Sequence, residues 1–214
     1  MMNPVLAKYF KAFLLIIYLV GIIGTLVSPA SIAPYTPLNL LLTALILIIF
    51  GDTRNSSFWL FVVFVFIAGI LIEIAGVSTG MIFGTYYYGD VLGPKVYEVP
   101  LSIGLNWVFL TLATLSMAEG KKAQFILAAL FGAGMMVGLD MLIEPLASSL
   151  DYWYWLNETI PIQNYVAWFI IAFLFHLMAR KLKFEKENPM AVFIFVLQIV
   201  FFLSIHFSKY IKNA

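Results

Sequence analysis

The stretch AQFILAALFGAGMMVGLDMLIEPL, Ala123–Leu146, is 24 residues long and almost wholly apolar. A helix needs roughly 17–25 such residues to cross about 30 Å of hydrocarbon, so the stretch is predicted to span a membrane. Near its end it nevertheless carries Asp140 and Glu144. A charge at that depth costs at least ~2.5 kcal/mol, so an acid there needs a partner, a proton or a task. Glu73, inside the apolar segment Phe58–Val77, raises the same question.

The rest of the chain fits the same class. Of 214 residues, 63% are hydrophobic and 11% charged, with mean hydropathy +1.00. Soluble domains carry roughly 25% charged residues. The seven segments Phe10–Val27, Leu38–Phe50, Phe58–Val77, Val99–Ala118, Ala123–Leu146, Pro161–Ala179 and Met190–Phe207 predict an all-α polytopic transmembrane bundle. One integral-membrane domain over residues 1–214 is expected, in the cell (inner) membrane. The second segment is short and crosses only if Tyr35–Pro37 contributes. Lys8 and Lys11 precede the first run, which is too long for a secretion signal and reads as an uncleaved first span.

Lysine and arginine divide nine against three between the two sides, Lys121 and Lys122 counting with the nine. This places the N-terminus in the cytoplasm. A net charge of +1 implies no nucleic-acid partner, and the absence of cysteine removes disulfides and thiolate chemistry. His176 and His206 fall at opposite membrane levels and cannot share a metal ion, so no metal site is expected.

Placed on these spans, Glu73, Asn106, Trp107, Asp140, Glu144 and Asn164 converge on one membrane level near the outer side. The loops above it, Thr79–Glu98 and Ala147–Ile160, are the long aromatic ones. The cytoplasmic halves are expected to carry almost no buried polar groups. Asp140 and Glu144, four apart, share a helix face. Two carboxyls in an apolar site cannot both ionise cheaply, so one should hold its proton and be able to act as a general acid. The other reading is a structural pair bonded to Tyr, Asn or Trp donors. Pro145 is expected to break or kink the helix and turn carbonyls toward the site. Gly76, Gly80 and Gly84, like Gly134 and Gly138, recur at the spacing that lets helices approach closely. The Tyr86–Tyr88 run fits an interfacial belt from which one ring, Tyr86, can turn inward. Trp153, Tyr154 and Trp155 form either an interface anchor or a lid.

Other classes fall away. No span carries a lysine in its interior for a retinal Schiff base, Lys11 lying at the very start of the first, no phosphate-binding glycine loop follows a strand, and no histidine boxes exist for a di-iron oxygenase.

The ordered motifs EIAGVSTG (73–80), FGTYYY (83–88), LGP (92–94), VPL (99–101), Asn106-Trp107, GLD (138–140), Glu144-Pro145, YWYW (152–155), Ile160-Pro161 and NYVAW (164–168) cover roughly residues 60–180. In this combination the chain resembles the integral-membrane carotenoid hydratases of the CruF, or bisanhydrobacterioruberin hydratase, type. The first, second and seventh spans show only generic hydrophobicity. The resemblance implies addition of water to the terminal C1–C2 double bond of an acyclic carotenoid such as lycopene or γ-carotene, with no cofactor and with membrane lipid as the surroundings. Asp140 or Glu144 would be the acid, and the other, or Glu73, the base. Asn106, Asn164 and Tyr86 would orient them, and Trp107, Trp153, Trp155 and Trp168 would line the polyene path or shield the cation. A cyclase or isomerase using the same protonation, and a proton-coupled carrier using the same acids, are the alternatives.

Overall fold

The computed structural model of the protein describes residues 4–119 and 125–213. Lys121, Lys122 and the expected Ala123 start of the fifth span lie outside them. The elements run α1 (Pro4–Val27), α2 (Pro29–Ile32), a 3-10 turn at Ala33–Tyr35, α3 (Thr36–Ile49), α4 (Ser56–Thr79), β1 (Tyr86–Tyr88), β2 (Lys95–Val96), β3 (Val99–Pro100), α5 (Leu101–Glu119), α6 (Phe125–Ala147), β4 (Trp153–Trp155), α7 (Ile162–Lys181) and α8 (Ala191–Asn213). Among the described residues, seven helical segments are long and apolar enough to cross a membrane.

The doubtful second span is completed from its N-terminal side. Residues Pro29–Ile49 form one 21-residue helical path, so Tyr35–Pro37 does contribute. Pro34 and Pro37 lack N–H donors, and the path tightens into a 3-10 turn there without ending. Two other boundaries shift: Val99–Pro100 pairs with Lys95–Val96 as a small hairpin before α5, and α8 runs on to Asn213.

Helix α5 is the axis of the bundle. It packs against α3, α4, α6, α7 and α8, and 72% of its span is buried, against 17% for α1. Glycine permits its closest contacts with α4. A methyl on Gly69 would lie 2.8 Å from the Trp107 ring, and one on Gly104 would lie 2.7 Å from Phe66. The expected glycine spacing fails elsewhere. Gly80 caps α4 in the left-handed region (φ +66°), and Gly84 lies beyond the helix at φ +111° against Pro161. Gly134 and Gly138 have nothing within 4 Å of an added methyl, so they form no close helix crossing.

Pro145 does not break α6, which continues to Ala147. The carbonyl of Leu142, beside the disturbed turn, accepts from His206 Nε2 at 2.8 Å and so points at α8 rather than into a site. The two aromatic loops pair with each other: β1 and β4 are antiparallel, with Tyr86 opposite Trp155 and Tyr88 opposite Trp153. Side chains alternate along a strand, so Tyr86 and Tyr88 turn inward while Tyr87 stacks on Tyr154 outside, rings 5.2 Å apart. Asp151 fastens this ribbon by accepting from Asp90 N, Val91 N and the Tyr154 hydroxyl.

Candidate active site

Glu73, Asp140 and Glu144 end up in the bundle interior, 2%, 3% and 5% exposed. Glu73 comes from the last turns of α4, the other two from the last turns of α6. The ribbon closes over them from the loop-rich face. Burial without partners would be prohibitive, and each acid is met by neutral donors to a different degree.

Glu73 is fully engaged. Its Oε2 accepts from the Tyr86 hydroxyl at 2.6 Å and the Tyr88 hydroxyl at 2.8 Å, and its Oε1 from Trp107 Nε1 at 3.1 Å. Burial, and after it the Glu73 charge, push both phenols well above the usual tyrosine value, so they remain donors. Glu144 has as many partners: Oε2 accepts from Trp155 Nε1 at 2.8 Å and Trp153 Nε1 at 3.1 Å, and Oε1 from Asn164 Nδ2 at 2.8 Å. Asp140 has one. Asn164 Nδ2 reaches its Oδ2 at 3.1 Å, while Oδ1 accepts nothing among the described residues. Asn164 is held in the first turn of α7, where its N–H bonds the Pro161 carbonyl. A single amide therefore bridges the two acids of α6.

These groups line a cavity of about 30 Å³, together with Tyr86, Tyr88, Asn106, Trp153, Trp155 and Trp168. A water needs ~10–15 Å³ measured this way and two to four polar partners, so the space suits one or two waters. Trp107 stands just behind it, stacked on Trp168 with ring centroids 4.0 Å apart and 13° between planes. Asn106 lines the cavity, but its amide makes no hydrogen bond among the described residues.

A second, larger cavity of about 430 Å³ adjoins the first and shares Ile103, Asn106, Ile143 and Trp153 with it. Most of its other walls come from α1, α2, α3 and α8, the spans whose sequence shows only generic hydrophobicity, with Leu92, Phe109 and Tyr152 completing them. Ile16, Val20, Tyr35 and Leu38 on its rim are half or more exposed on the outside of the bundle, so it opens sideways at membrane depth.

Of the residues proposed for the site from sequence, Glu73, Tyr86, Asn106, Asp140, Glu144, Trp153, Trp155, Asn164 and Trp168 thus line one small chamber, and Trp107 stands against it. Sequence reasoning missed Tyr88, although its position two residues after Tyr86 is the strand alternation that turns both rings inward. The expectation of almost no buried polar groups on the basic side is wrong: Thr43, Thr111, Thr114 and His176 are buried there. Thr114 and His176 satisfy each other, His176 contacting Thr114 Oγ1 at 3.0 Å and the Ala172 carbonyl at 2.7 Å. His206, on the opposite side, packs against α6 through the Leu142 carbonyl. Among the described residues, no group of three His, Asp or Glu side chains is placed to hold a metal ion.

Residues 35–213 match the family model described as carotenoid biosynthesis protein. No curated protein and no solved structure matches the chain.

Proposed function

The chain belongs to the carotenoid biosynthesis protein family, and from that premise we propose that it hydrates the terminal C1–C2 double bond of an acyclic carotenoid end. One arrangement carries the reading: an under-partnered carboxyl, Asp140, faces a water-sized chamber that shares a wall with a greasy cavity opening toward lipid.

Donor counting assigns the roles. Neutral donors favour an ionised carboxyl, and Glu73 and Glu144 have three each against one for Asp140. Asp140 is therefore the group that carries the proton. It delivers that proton to C2; the π bond breaks, a C2–H bond forms, and C1 becomes a tertiary cation. The negative charge of Glu73 and the faces of Trp155 and Trp168 stabilise the cation. A water held by Glu144 and the free amide of Asn106 forms the C1–O bond and gives its extra proton to Glu144. Proton return from Glu144 to Asp140, which share the amide of Asn164, restores the pair. The net change is alkene plus water to tertiary alcohol.

The small chamber is too narrow for a polyene and admits only its tip, with the chain left in the larger cavity. Space for water beside the acids favours hydration over cyclisation, in which an internal alkene would have to occupy that volume. Orientation follows the lysine and arginine count, with the chamber near the outer leaflet of the cell membrane.

Expression in a bacterium that accumulates lycopene or γ-carotene tests the reading. The expected pigments are heavier than the substrate by one or two waters. Products of unchanged mass and altered chromatographic retention would instead establish a cyclase or isomerase.

A further inference from the structure

The larger cavity contains a polar cluster that the hydration chemistry does not use. Its walls are aliphatic or aromatic for most of their extent, yet Tyr18 of α1, Asn39 of α3 and Gln198 of α8 also line it. Gln198 Nε2 donates to the Tyr18 hydroxyl at 2.8 Å, and both side chains are at least 95% buried. Asn39 and Thr43, four apart on α3, also face the Tyr18 hydroxyl. Nevertheless Asn39 Oδ1 and the fully buried Thr43 Oγ1 take part in no hydrogen bond among the described residues. The Tyr18 hydroxyl has one proton and can serve at most one of them. Buried polar atoms are normally paired, and each exception calls for an explanation.

All four side chains are neutral. They offer hydroxyl and amide donors beside amide and hydroxyl acceptors, a set that matches an oxygen able both to give and to accept a hydrogen bond. It does not match a phosphate or a carboxylate, which would call for cationic groups. Because the cavity shares Asn106 and Trp153 with the acid chamber, a chain whose tip reaches Asp140 runs past this cluster. Tyr18 lies before residue 35, outside the stretch that matches the family model, so the cluster depends on a helix that the match does not cover.

We propose that Tyr18, Asn39 and Gln198, backed by the buried Thr43, form a second subsite that binds a neutral oxygen group, above all a hydroxyl, on the body or far end of the isoprenoid. The protein then selects an oxygenated chain over the parent hydrocarbon. The subsite rests on the proposed function only in taking the ligand to be an isoprenoid.

The test is retention of pigment by the full chain purified in detergent. Lycopene is compared with hydroxylated linear carotenoids of the same chain length and with their O-methyl ethers, which accept but cannot donate. The wild type should retain at least one hydroxylated pigment about tenfold better than lycopene, with the ether between them. Asn39→Leu and Gln198→Leu should remove that preference while lycopene retention stays or rises. Asp140→Asn should keep it, so a chain that binds selectively but makes no hydrate would refute the hydratase reading and leave the subsite standing. Equal retention of all pigments by the wild type overturns the subsite, and needs no variant to fold. So does a preference that survives both leucine variants, which would mean that the cluster holds only water. A lipid alcohol offers the same chemistry. Displacement of the hydroxylated pigment by monoolein supports the subsite, whereas retention of monoolein with no preference among pigments assigns the cluster to bilayer lipid and overturns the proposal.

Discussion

Tyr86 and Trp155 face each other across the β1–β4 ribbon with ring centroids 5.1 Å apart, and each reaches down to a different carboxylate, Tyr86 to Glu73 and Trp155 to Glu144. The two acids come from helices α4 and α6, so the ribbon sets the spacing of the chamber as well as its roof. Strand pairing is rigid enough to hold donors at fixed positions, as a preorganised site requires.

Asp140 and Glu144 carry the proposed proton transfers. Asp140→Asn and Glu144→Gln keep size and shape but cannot cycle a proton. Each should lower hydrate formation by about 10²–10⁴-fold, the usual contribution of general acid–base catalysis. Membrane insertion and elution on gel filtration should be unchanged. Full hydrate yield from both variants in carotenoid-producing cells would remove the chemistry.

Trp153 and Trp155 hold Glu144 through their indole N–H groups. Trp155→Phe keeps a ring and deletes one bond to a charged acceptor, worth about 1.5–3 kcal/mol. The thermal midpoint in detergent should fall accordingly, and the Trp153→Phe/Trp155→Phe double variant should fall further. Trp155→Ala also removes the roof and should reduce carotenoid retention more than stability. Unchanged retention would leave the ribbon with a structural role alone.

Tyr86 and Tyr88 give an alkaline signature. Burial raises their folded-state values above the value of about 10 that they have when unfolded. Their contribution is therefore complete below pH about 10 and is lost as pH climbs toward the folded values. The wild-type unfolding midpoint should decline above pH about 10. The Tyr86→Phe/Tyr88→Phe variant should be less stable at neutral pH and show a shallower alkaline decline. Parallel curves for the two proteins would show that these phenols do not anchor Glu73.

Gly69 lies under Trp107, and an alanine methyl there would sit 2.8 Å from the ring. Gly69→Ala should displace Trp107 from Glu73 and from its stack on Trp168. Overpacking of this kind costs about 1–3 kcal/mol. The change should appear both as a lower thermal midpoint and as an altered tryptophan near-ultraviolet dichroism signal. By contrast Gly138→Ala, with open space around it inside α6, should leave the dichroism unchanged and should not lower the midpoint.

Several features of the molecule are legible in the amino-acid sequence. Apolar runs of Phe58–Val77 and Ala123–Leu146 can only be helices in lipid, because no water is present to satisfy a peptide group. The i,i+4 spacing of Asp140 and Glu144 puts both acids on one face of α6 whatever surrounds them. The depth of Glu73, Asn106 and Asn164 along their spans follows from counting residues. That Pro145 sits inside the helix instead of ending it is not legible, because the groups that pack around that turn, such as His206 of α8 on the Leu142 carbonyl, come from as far as 61 residues beyond it.

Local periodicity thus suffices for the spans, their number and the shared level of the acids, since each depends only on a segment and its solvent. Tertiary packing alone decided which acid is left with a single donor, that Tyr88 joins Tyr86 on Glu73, and that α1, α3 and α8 enclose a cavity beside the chamber. Those outcomes depend on hydrogen bonds and close approaches between segments distant in the chain. Two loops that read alike as aromatic belts become one ribbon only when β1 and β4 meet across more than sixty residues.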